Sequence, residues 1–186
     1  MFDIDELVAS CREALKERNP ELAVKEIMER TMSNPAQVES VLGTPTLGGI
    51  VTLHHSRDLT VLKVIWAPGM SIYPHDHRMW AVIGIYGGRE DNTFYRRGEE
   101  GLTQVGFKEL ETKDAVVLGG EVIHAVTNPK QGFTGAIHIY GGDFFNEPRS
   151  EWDPVTFEER PYDIENVMRQ YAMANERLSK GHPASN

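Results

Sequence analysis

The side chains best suited to chemistry in this chain are its histidines, of which there are seven among 186 residues. His75 and His77 are two positions apart, so on an extended segment both imidazoles emerge on the same side and could chelate one ion. Asp76, between them, is expected to point away. A third histidine, His124, lies on a later predicted strand. The spacing therefore makes His75 and His77 candidate metal ligands, with ordinary core or surface histidines as the alternative.

Other histidines have different surroundings. His138 and Tyr140 are also two positions apart and should share one face of a strand. His54 and His55 are adjacent on another predicted strand, so one of them should face inward, either as a core residue or as a substrate contact, and we favour the core interpretation. His182 falls in the C-terminal tail, which we expect to be exposed.

These side chains need a scaffold, and hydrophobic periodicity indicates helices at both ends of it. Residues 1–43 carry apolar side chains at the 3.6-residue spacing of helices, with Cys11 on the buried stripe. Asn19 and Asn34 each precede a proline and are expected to cap the second and third of these helices. Residues 144–186 should form an irregular segment and then one helix capped by Asp163. The expected buried stripe of that helix is Ile164, Val167, Met168 and Tyr171.

Between residues 47 and 143 the pattern changes to short β-branched and aromatic segments separated by glycine and proline. The predicted strands cover residues 49–55, 59–66, 80–86, 92–96, 102–110, 114–118, 121–127 and 133–140. Because no helix lies between them, the pattern favours an antiparallel barrel or sandwich. We therefore expect a single domain with helical additions before and after the barrel.

Composition narrows the classes of function. Lys and Arg total 19 against 28 Asp and Glu, a net charge of -9, and no basic cluster exceeds Arg96 and Arg97. A nucleic-acid partner is therefore not expected. No apolar run reaches the roughly 18 residues of a membrane helix, so we expect no membrane association. The single cysteine and the acidic first residues favour a cytoplasmic location.

Glycines frame the candidate ligands. Gly69 and Gly88 flank the His75 and His77 pair, and Asn128 follows His124 by four positions. This arrangement resembles the two sequence motifs of the cupin superfamily. The resemblance implies a mainly β fold, the cupin double-stranded β-helix, an antiparallel β-barrel that here carries N-terminal helices and one C-terminal helix. Many cupins have a glutamate ligand four or five positions after the second histidine, where this chain has Ala81 and Val82.

The subtype is indicated by four further stretches. Residues 66–69, 73–77, 80–84 and 136–142 resemble the bacterial cysteine dioxygenase and 3-mercaptopropionate dioxygenase type, thiol dioxygenases whose cupin site has three histidines and no glutamate. The resemblance implies an Fe(II) cofactor held by His75, His77 and His124, with Zn, Ni or Mn as substitutes in the isolated protein. It also implies that a small organic thiol and dioxygen are the substrates. Three neutral imidazoles would leave the full charge of Fe(II) and open positions for an anionic thiolate.

The same resemblance implies roles for His138 and Tyr140. Tyr140 would donate a hydrogen bond to the oxygen species, and His138 would hold Tyr140 in place. Ala136 stands where the family has a serine in this segment, which shortens the relay. Tyr73 and Trp80 flank the first histidine pair and could either wall the cavity or pack in the barrel.

The family usually holds a substrate carboxylate with an arginine on the strand before the histidine pair. Residues 49–56 contain none, and Arg57 lies near a turn. The charge could come from elsewhere, but we expect each remaining candidate to be a solvated surface residue. Those candidates are Arg78, Arg89, Arg96 and Arg149. We therefore expect a substrate whose carboxylate is dispensable.

Two alternatives remain open at this point. A three-histidine cupin could catalyse oxidative carbon–carbon cleavage, a lyase step or an isomerase step. It could also bind a small molecule without catalysis. Helices at both ends of the chain could in addition cover strand edges and support a homodimer.

Overall fold

The computed structural model of the protein describes residues 1–99 and 101–181, so His182 lies outside the described residues. Three helices come first, namely α1 (Ile4–Ala14), α2 (Pro20–Met32) and α3 (Pro35–Leu42). Nine strands follow: β1 (Gly49–His55), β2 (Thr60–Trp66), β3 (Ser71–Asp76), β4 (Ala81–Gly87), β5 (Arg89–Gly98), β6 (Gly101–Glu111), β7 (Ala115–Leu118), β8 (Ile123–Thr127) and β9 (Thr134–Tyr140). The last elements are two short strands and a helix, β10 (Ser150–Trp152), β11 (Glu159–Pro161) and α4 (Ile164–Ser179).

Strands β2 to β9 form a nested series of antiparallel pairs. β5 pairs with β6, β4 with β7, β3 with β8 and β2 with β9, so the chain doubles back on itself as one long ribbon. The ribbon coils, because β9 also pairs with β4 and β8 with β5. The result is two sheets in the orders β1-β2-β9-β4-β7 and β11-β10-β3-β8-β5-β6. This is the double-stranded β-helix, and the fold is mainly β as the sequence predicts.

The inner faces of the two sheets and α4 enclose one core, and the N-terminal helices cover the outer face of the first sheet. β9 shows the division. Ala136 and Tyr140 belong to the core between the sheets, while Ile137 and Ile139 pack with Met28 and other residues of the helices. Because both faces are covered, every residue of β9 is buried. The His138 and Tyr140 pair therefore projects from a strand that the helices shield from solvent.

The eight predicted strands are all present, with ends that differ by a few residues. β3, β10 and β11 were not predicted as strands, because they are short and two of them contain proline. Asp163 caps α4 through its side chain, as expected, whereas Asn19 and Asn34 do not cap. Their ψ angles of 76° and 73° differ from the extended backbone that a capping side chain requires.

Helix α4 packs on the barrel with a stripe shifted from the predicted one. Val167, Tyr171 and Ala174 are buried, whereas Met168 is 45% exposed. Cys11 of α1 is fully buried, as expected. Among the described residues, none of the helices combines the length and the apolar character that crossing a bilayer requires.

Candidate metal centre

The three predicted ligands converge inside the barrel. His75 is the second-last residue of β3, His77 directly follows that strand, and His124 of β8 lies directly across from His75 in the antiparallel register. One nitrogen from each ring lies within 4.8 Å of the others. All three side chains are buried. The structure thus brings together residues that are nearly 50 positions apart in the sequence, in a group that could hold a metal ion.

Hydrogen bonds orient two of these rings. His75 Nδ1 lies 3.0 Å from the carbonyl oxygen of Tyr73, which can only accept, so Nδ1 carries the hydrogen. His124 Nδ1 lies 2.6 Å from Asn92 Oδ1. In both rings Nε2 therefore has a free lone pair, and the Nε2 atoms of His124 and His77 are 3.5 Å apart. Such a partner on the second nitrogen is typical of histidines that bind metals.

Burial keeps the three imidazoles neutral. Removal from solvent lowers the pKa of His75 to about 4, and the positive charge of Arg149 acts in the same direction. The pKa values of His77 and His124 also lie well below their ordinary value, first through burial and then through repulsion from neighbouring histidines. Neutral imidazoles are the form that binds a divalent cation. Their protonation state, orientation and proximity all fit a metal ion.

We expect the metal-free protein to lose stability as the pH falls from about 6.5 toward 4. His75 of the unfolded chain takes up a proton near pH 6.5, whereas His75 of the folded protein takes one up only near pH 4. The contribution of His75 to the stability of the folded protein is therefore complete above pH 6.5 and is lost as the pH falls below that value. For His75 alone the loss is about 3 kcal/mol. Urea unfolding with a chelator at pH 7, 6 and 5 measures it. Equal stability at pH 7 and 5 would contradict the expectation, and His75→Asn should flatten the dependence.

Asp76 points away from the other two histidines, as expected. Its carboxylate accepts a hydrogen bond from the Ser150 amide at 2.8 Å and pairs with Arg78 at 2.8 Å and Arg97 at 3.5 Å. These contacts anchor the end of β3 to β10 and β5. The segment that carries His75 and His77 is therefore held on its outer side as well as by the barrel.

A buried polar network lies next to the histidine cluster. His138 Nδ1 is 3.1 Å from the Tyr140 hydroxyl, and His138 Nε2 is 3.2 Å from Oε2 of Glu90. Trp66 Nε1 donates to the same oxygen at 2.7 Å, and Asn92 Nδ2 donates to the other oxygen at 3.0 Å. The predicted pair of His138 and Tyr140 is thus hydrogen-bonded, through His138, to the carboxylate of Glu90. Glu90 was not identified from the sequence.

Glu90 was missed because the predicted strand began at Asn92, whereas β5 begins at Arg89. In an extended strand Glu90 and Asn92 share one face, and here that face is internal, so both are buried. Burial raises the pKa of Glu90, but the interaction with His138 and the hydrogen bonds to both oxygens outweigh it and lower the pKa overall. The carboxylate is therefore ionised inside the barrel.

The three ligands, His138 and Tyr140 all line a cavity of about 30 Å³, space for roughly one or two waters. Its other walls are apolar or aromatic and include Trp66, Phe144, Tyr162 and Val167. Val167 belongs to α4, and Tyr171 of the same helix stacks on Trp66 with ring centroids 5.7 Å apart. The C-terminal helix therefore closes one side of the cavity.

Arg149 differs from the sequence expectation. It is only 8% exposed rather than solvated, and its guanidinium carbon lies 3.9 Å from the Tyr162 ring centroid and 4.2 Å from that of Phe144. It donates to the Phe144 carbonyl, while its Nε has no hydrogen-bond partner. Arg149 is thus a buried cation with an unused hydrogen-bond donor, and it packs against Phe144 and Tyr162, two aromatic residues that line the cavity.

The other candidate arginines stay at the surface or in ion pairs. Arg78 and Arg96 are exposed, and half-buried Arg89 pairs with Asp91 at 2.6 Å. The core interpretation of one histidine on β1 was wrong. His54 is half-buried beside Ser56, and His55 is exposed and pairs with Asp143 at 2.8 Å. A register shift in β1 near these residues and its position at the sheet edge account for this.

The roles considered for Tyr73 and Trp80 are decided in favour of packing. Trp80 packs with the cluster beneath the N-terminal helices, where Gly141 leaves room for its indole ring. Tyr73 packs against the core between the sheets. Neither residue lines the cavity, whose aromatic walls come instead from β2, from β9 and from residues after β9.

No protein-family model matches the chain. Similar solved structures include cupin-superfamily proteins. A cupin-superfamily protein from Desulfitobacterium hafniense is 17% identical, with 56% of this chain and 87% of that chain covered and a TM-score of 0.43. A conserved protein with a double-stranded β-helix domain from Klebsiella pneumoniae is 15% identical, with coverage of 60% and 86% and a TM-score of 0.44.

An RmlC-like cupin from Methanocaldococcus jannaschii is 10% identical, with 54% of this chain and 87% of that chain covered and a TM-score of 0.44. Similarity at this level carries no information about ligands or reaction. The strand order defines the fold of this chain, and the convergence of three neutral histidines defines its candidate site.

Proposed function

We propose that this protein is a mononuclear non-haem Fe(II) dioxygenase that oxidises a small organic thiol to its sulfinate, with His75, His77 and His124 as the metal ligands. One observation carries the proposal. Three neutral imidazoles, with no carboxylate in their group, face the same buried cavity as a hydrogen-bonded His138 and Tyr140 pair. Uncharged ligands favour the binding of an anionic thiolate.

The reaction balances without a further reductant. The thiol loses its proton, both atoms of dioxygen form bonds to sulfur, and the four electrons that reduce dioxygen come from the sulfur. Bound Fe(II) would supply the redox centre at which thiolate and dioxygen meet. The protein's own residues would orient the substrate and exclude water, for which the apolar walls of the cavity are suited.

Arg149 supports a substrate that carries a carboxylate. Its guanidinium is buried, has an unused Nε donor and stacks on Tyr162, which lines the cavity. Arg149 and Tyr162 line a second cavity of about 170 Å³, and Tyr162, which lines both cavities, separates the two. A carboxylate entering there would pair with the guanidinium while the thiol reaches the histidines. This proposal reverses the expectation that the carboxylate is dispensable.

Tyr140 and His138 would act on the substrate side of the site. The Tyr140 ring lies 5.0 Å from that of His77, and its hydroxyl bonds to His138. A hydroxyl held in this way can form a hydrogen bond to the reacting group inside the cavity. His138 would keep that hydroxyl in place.

Oxygen uptake by the Fe(II)-loaded protein tests the proposal. We expect uptake of one dioxygen per thiol with cysteine or 3-mercaptopropionate, weaker uptake with cysteamine, and two ¹⁸O atoms in the sulfinate when ¹⁸O₂ is used. Zn(II)-loaded protein is the matched control and should show no uptake. If protein with stoichiometric Fe(II) oxidises none of these thiols, the proposal is wrong. Another reaction of a three-histidine cupin, or a binding role, would then replace it.

A further inference from the structure

Glu90 is a fully buried carboxylate that the proposed reaction does not use directly. Both its oxygens accept hydrogen bonds, one from Trp66 and His138 and the other from Asn92. The Trp66 and Asn92 nitrogens that face it can only donate. Both terminal atoms of the side chain at position 90 must therefore be hydrogen-bond acceptors. An ionised carboxylate meets that requirement.

One branch of this network determines the hydrogen positions of His138. Because Oε2 of Glu90 accepts, His138 Nε2 carries a hydrogen, and when the ring carries only that one hydrogen, Nδ1 is left as an acceptor. The Tyr140 hydroxyl, 3.1 Å away, then donates to Nδ1. Its own oxygen lone pairs remain available to the cavity that Tyr140 lines.

The other branch determines the hydrogen positions of His124. Asn92 donates to Glu90 through Nδ2, so its Oδ1 is the atom that faces His124 Nδ1. That nitrogen must carry the hydrogen, and Nε2 of His124 keeps the lone pair that a metal would need. The Glu90 carboxylate is thus connected by hydrogen bonds to the candidate ligand His124 through Asn92 and to the Tyr140 hydroxyl through His138.

We infer that Glu90 is a positioning residue that sets both tautomers at once, His124 with a free Nε2 and His138 with a free Nδ1. Glu90 thereby takes the place of the family's serine, whose position in this chain is occupied by Ala136. Tyr140 in the resting site presents an acceptor to the cavity, suited to the S–H proton of an incoming thiol. Only this last consequence rests on the proposed function, since the tautomers belong to the metal-free chain.

Glutamine cannot reproduce this arrangement, because it has one acceptor and one donor group. If its oxygen faces Trp66 and His138, its amide group faces Asn92, which must flip and donate to His124 Nδ1. His124 would then carry its hydrogen on Nε2 and lose its free lone pair. If the oxygen instead faces Asn92, His138 must accept at Nε2 and carry its hydrogen on Nδ1. Glu90→Gln should therefore reverse one of the two tautomers.

Long-range ¹H–¹⁵N NMR of histidine in the metal-free protein tests this without any turnover. In the unsubstituted protein we expect hydrogen on Nε2 of His138 and on Nδ1 of His124. In Glu90→Gln we expect one of the two to change. If His138 of the unsubstituted protein carries its hydrogen on Nδ1, the inference is wrong, and this result needs no variant that folds.

Metal affinity gives a second readout. If His124 reverses, Glu90→Gln should bind Zn(II) about 10 to 100-fold more weakly in a chelator competition. If His138 reverses, affinity should be kept and the loss of thiol turnover should not add to that of Tyr140→Phe. Glu109→Gln, a half-exposed glutamate on β6 that pairs with Arg89, is the control and should change neither tautomer nor affinity.

Unchanged tautomers together with unchanged zinc affinity in Glu90→Gln would overturn the inference. The proposed reaction fails separately, because it fails when the Fe(II)-loaded unsubstituted protein oxidises no thiol. Since the tautomers are measured without substrate or iron, either result can occur without the other.

Discussion

Replacing His124 by alanine is expected to lower the affinity for Fe(II) or Co(II) by more than about 100-fold. Replacing a residue that only hydrogen-bonds to a metal ligand already lowers metal affinity by about 10 to 100-fold, and His124 is itself a proposed ligand. The two remaining imidazoles come from one short segment and leave one side of the ion without a protein ligand. Thiol-dependent oxygen uptake should disappear with the metal. Metal content after dialysis and a Co(II) titration followed by absorbance measure the effect.

His55→Ala is the matched control for His124→Ala. His55 also lies at the end of a strand, but it is exposed and pairs with Asp143 away from the cavity. That variant should keep full metal content. Circular dichroism and thermal unfolding establish that His124→Ala remains folded, since it removes a buried side chain. Stoichiometric metal in a folded His124→Ala protein would refute the assignment of this ligand.

Arg149→Gln is expected to lower kcat/KM for 3-mercaptopropionate by about 100-fold or more, because a substrate carboxylate would lose a buried charged partner. Cysteamine has no carboxylate, so its kcat/KM should change little. Arg149→Lys should recover only part of the loss, since an ammonium group cannot stack on Tyr162 and donate as the planar guanidinium does. Oxygen uptake over a range of thiol concentrations gives these values.

The control for this series is Arg96→Gln, which removes the same charge from an exposed position on β5. It should leave both substrates unaffected. Equal losses for 3-mercaptopropionate and cysteamine in Arg149→Gln would mean that Arg149 only stabilises the packing of Phe144 and Tyr162. In that case the carboxylate part of the proposed function would have to be abandoned, while the metal site would stand.

Much of the scaffold could be predicted because its signals are local. Alternation of apolar side chains, interrupted by glycine and proline, is enough to locate eight of the nine strands β1 to β9. The same alternation puts His75 beside His77 and His138 beside Tyr140. Strand β3 was harder to recognise, since Pro74 lies within it and its pairing with β8 shifts register.

The remaining site residues could not be found in this way. Glu90 is charged and follows a glycine turn, features typical of a loop, and only its pairing within the sheet places it inside the barrel. Arg149 lies in a proline-containing stretch without periodicity, where nothing local distinguishes a buried guanidinium from a solvated one. Its burial depends on the rings of Phe144, which precedes it in the sequence, and Tyr162, which follows it.

The amino-acid sequence by itself determined which side chains share a strand face, since alternation is a property of the extended backbone. It therefore paired His75 with His77 and His138 with Tyr140, whereas His124 was assigned as the third ligand through the resemblance to the cupin motifs. Only the tertiary structure decided which faces meet, because register between distant strands depends on how the whole ribbon coils. That coiling sets His124 across from His75, joins Glu90 to both histidine groups and buries Arg149 behind the cavity.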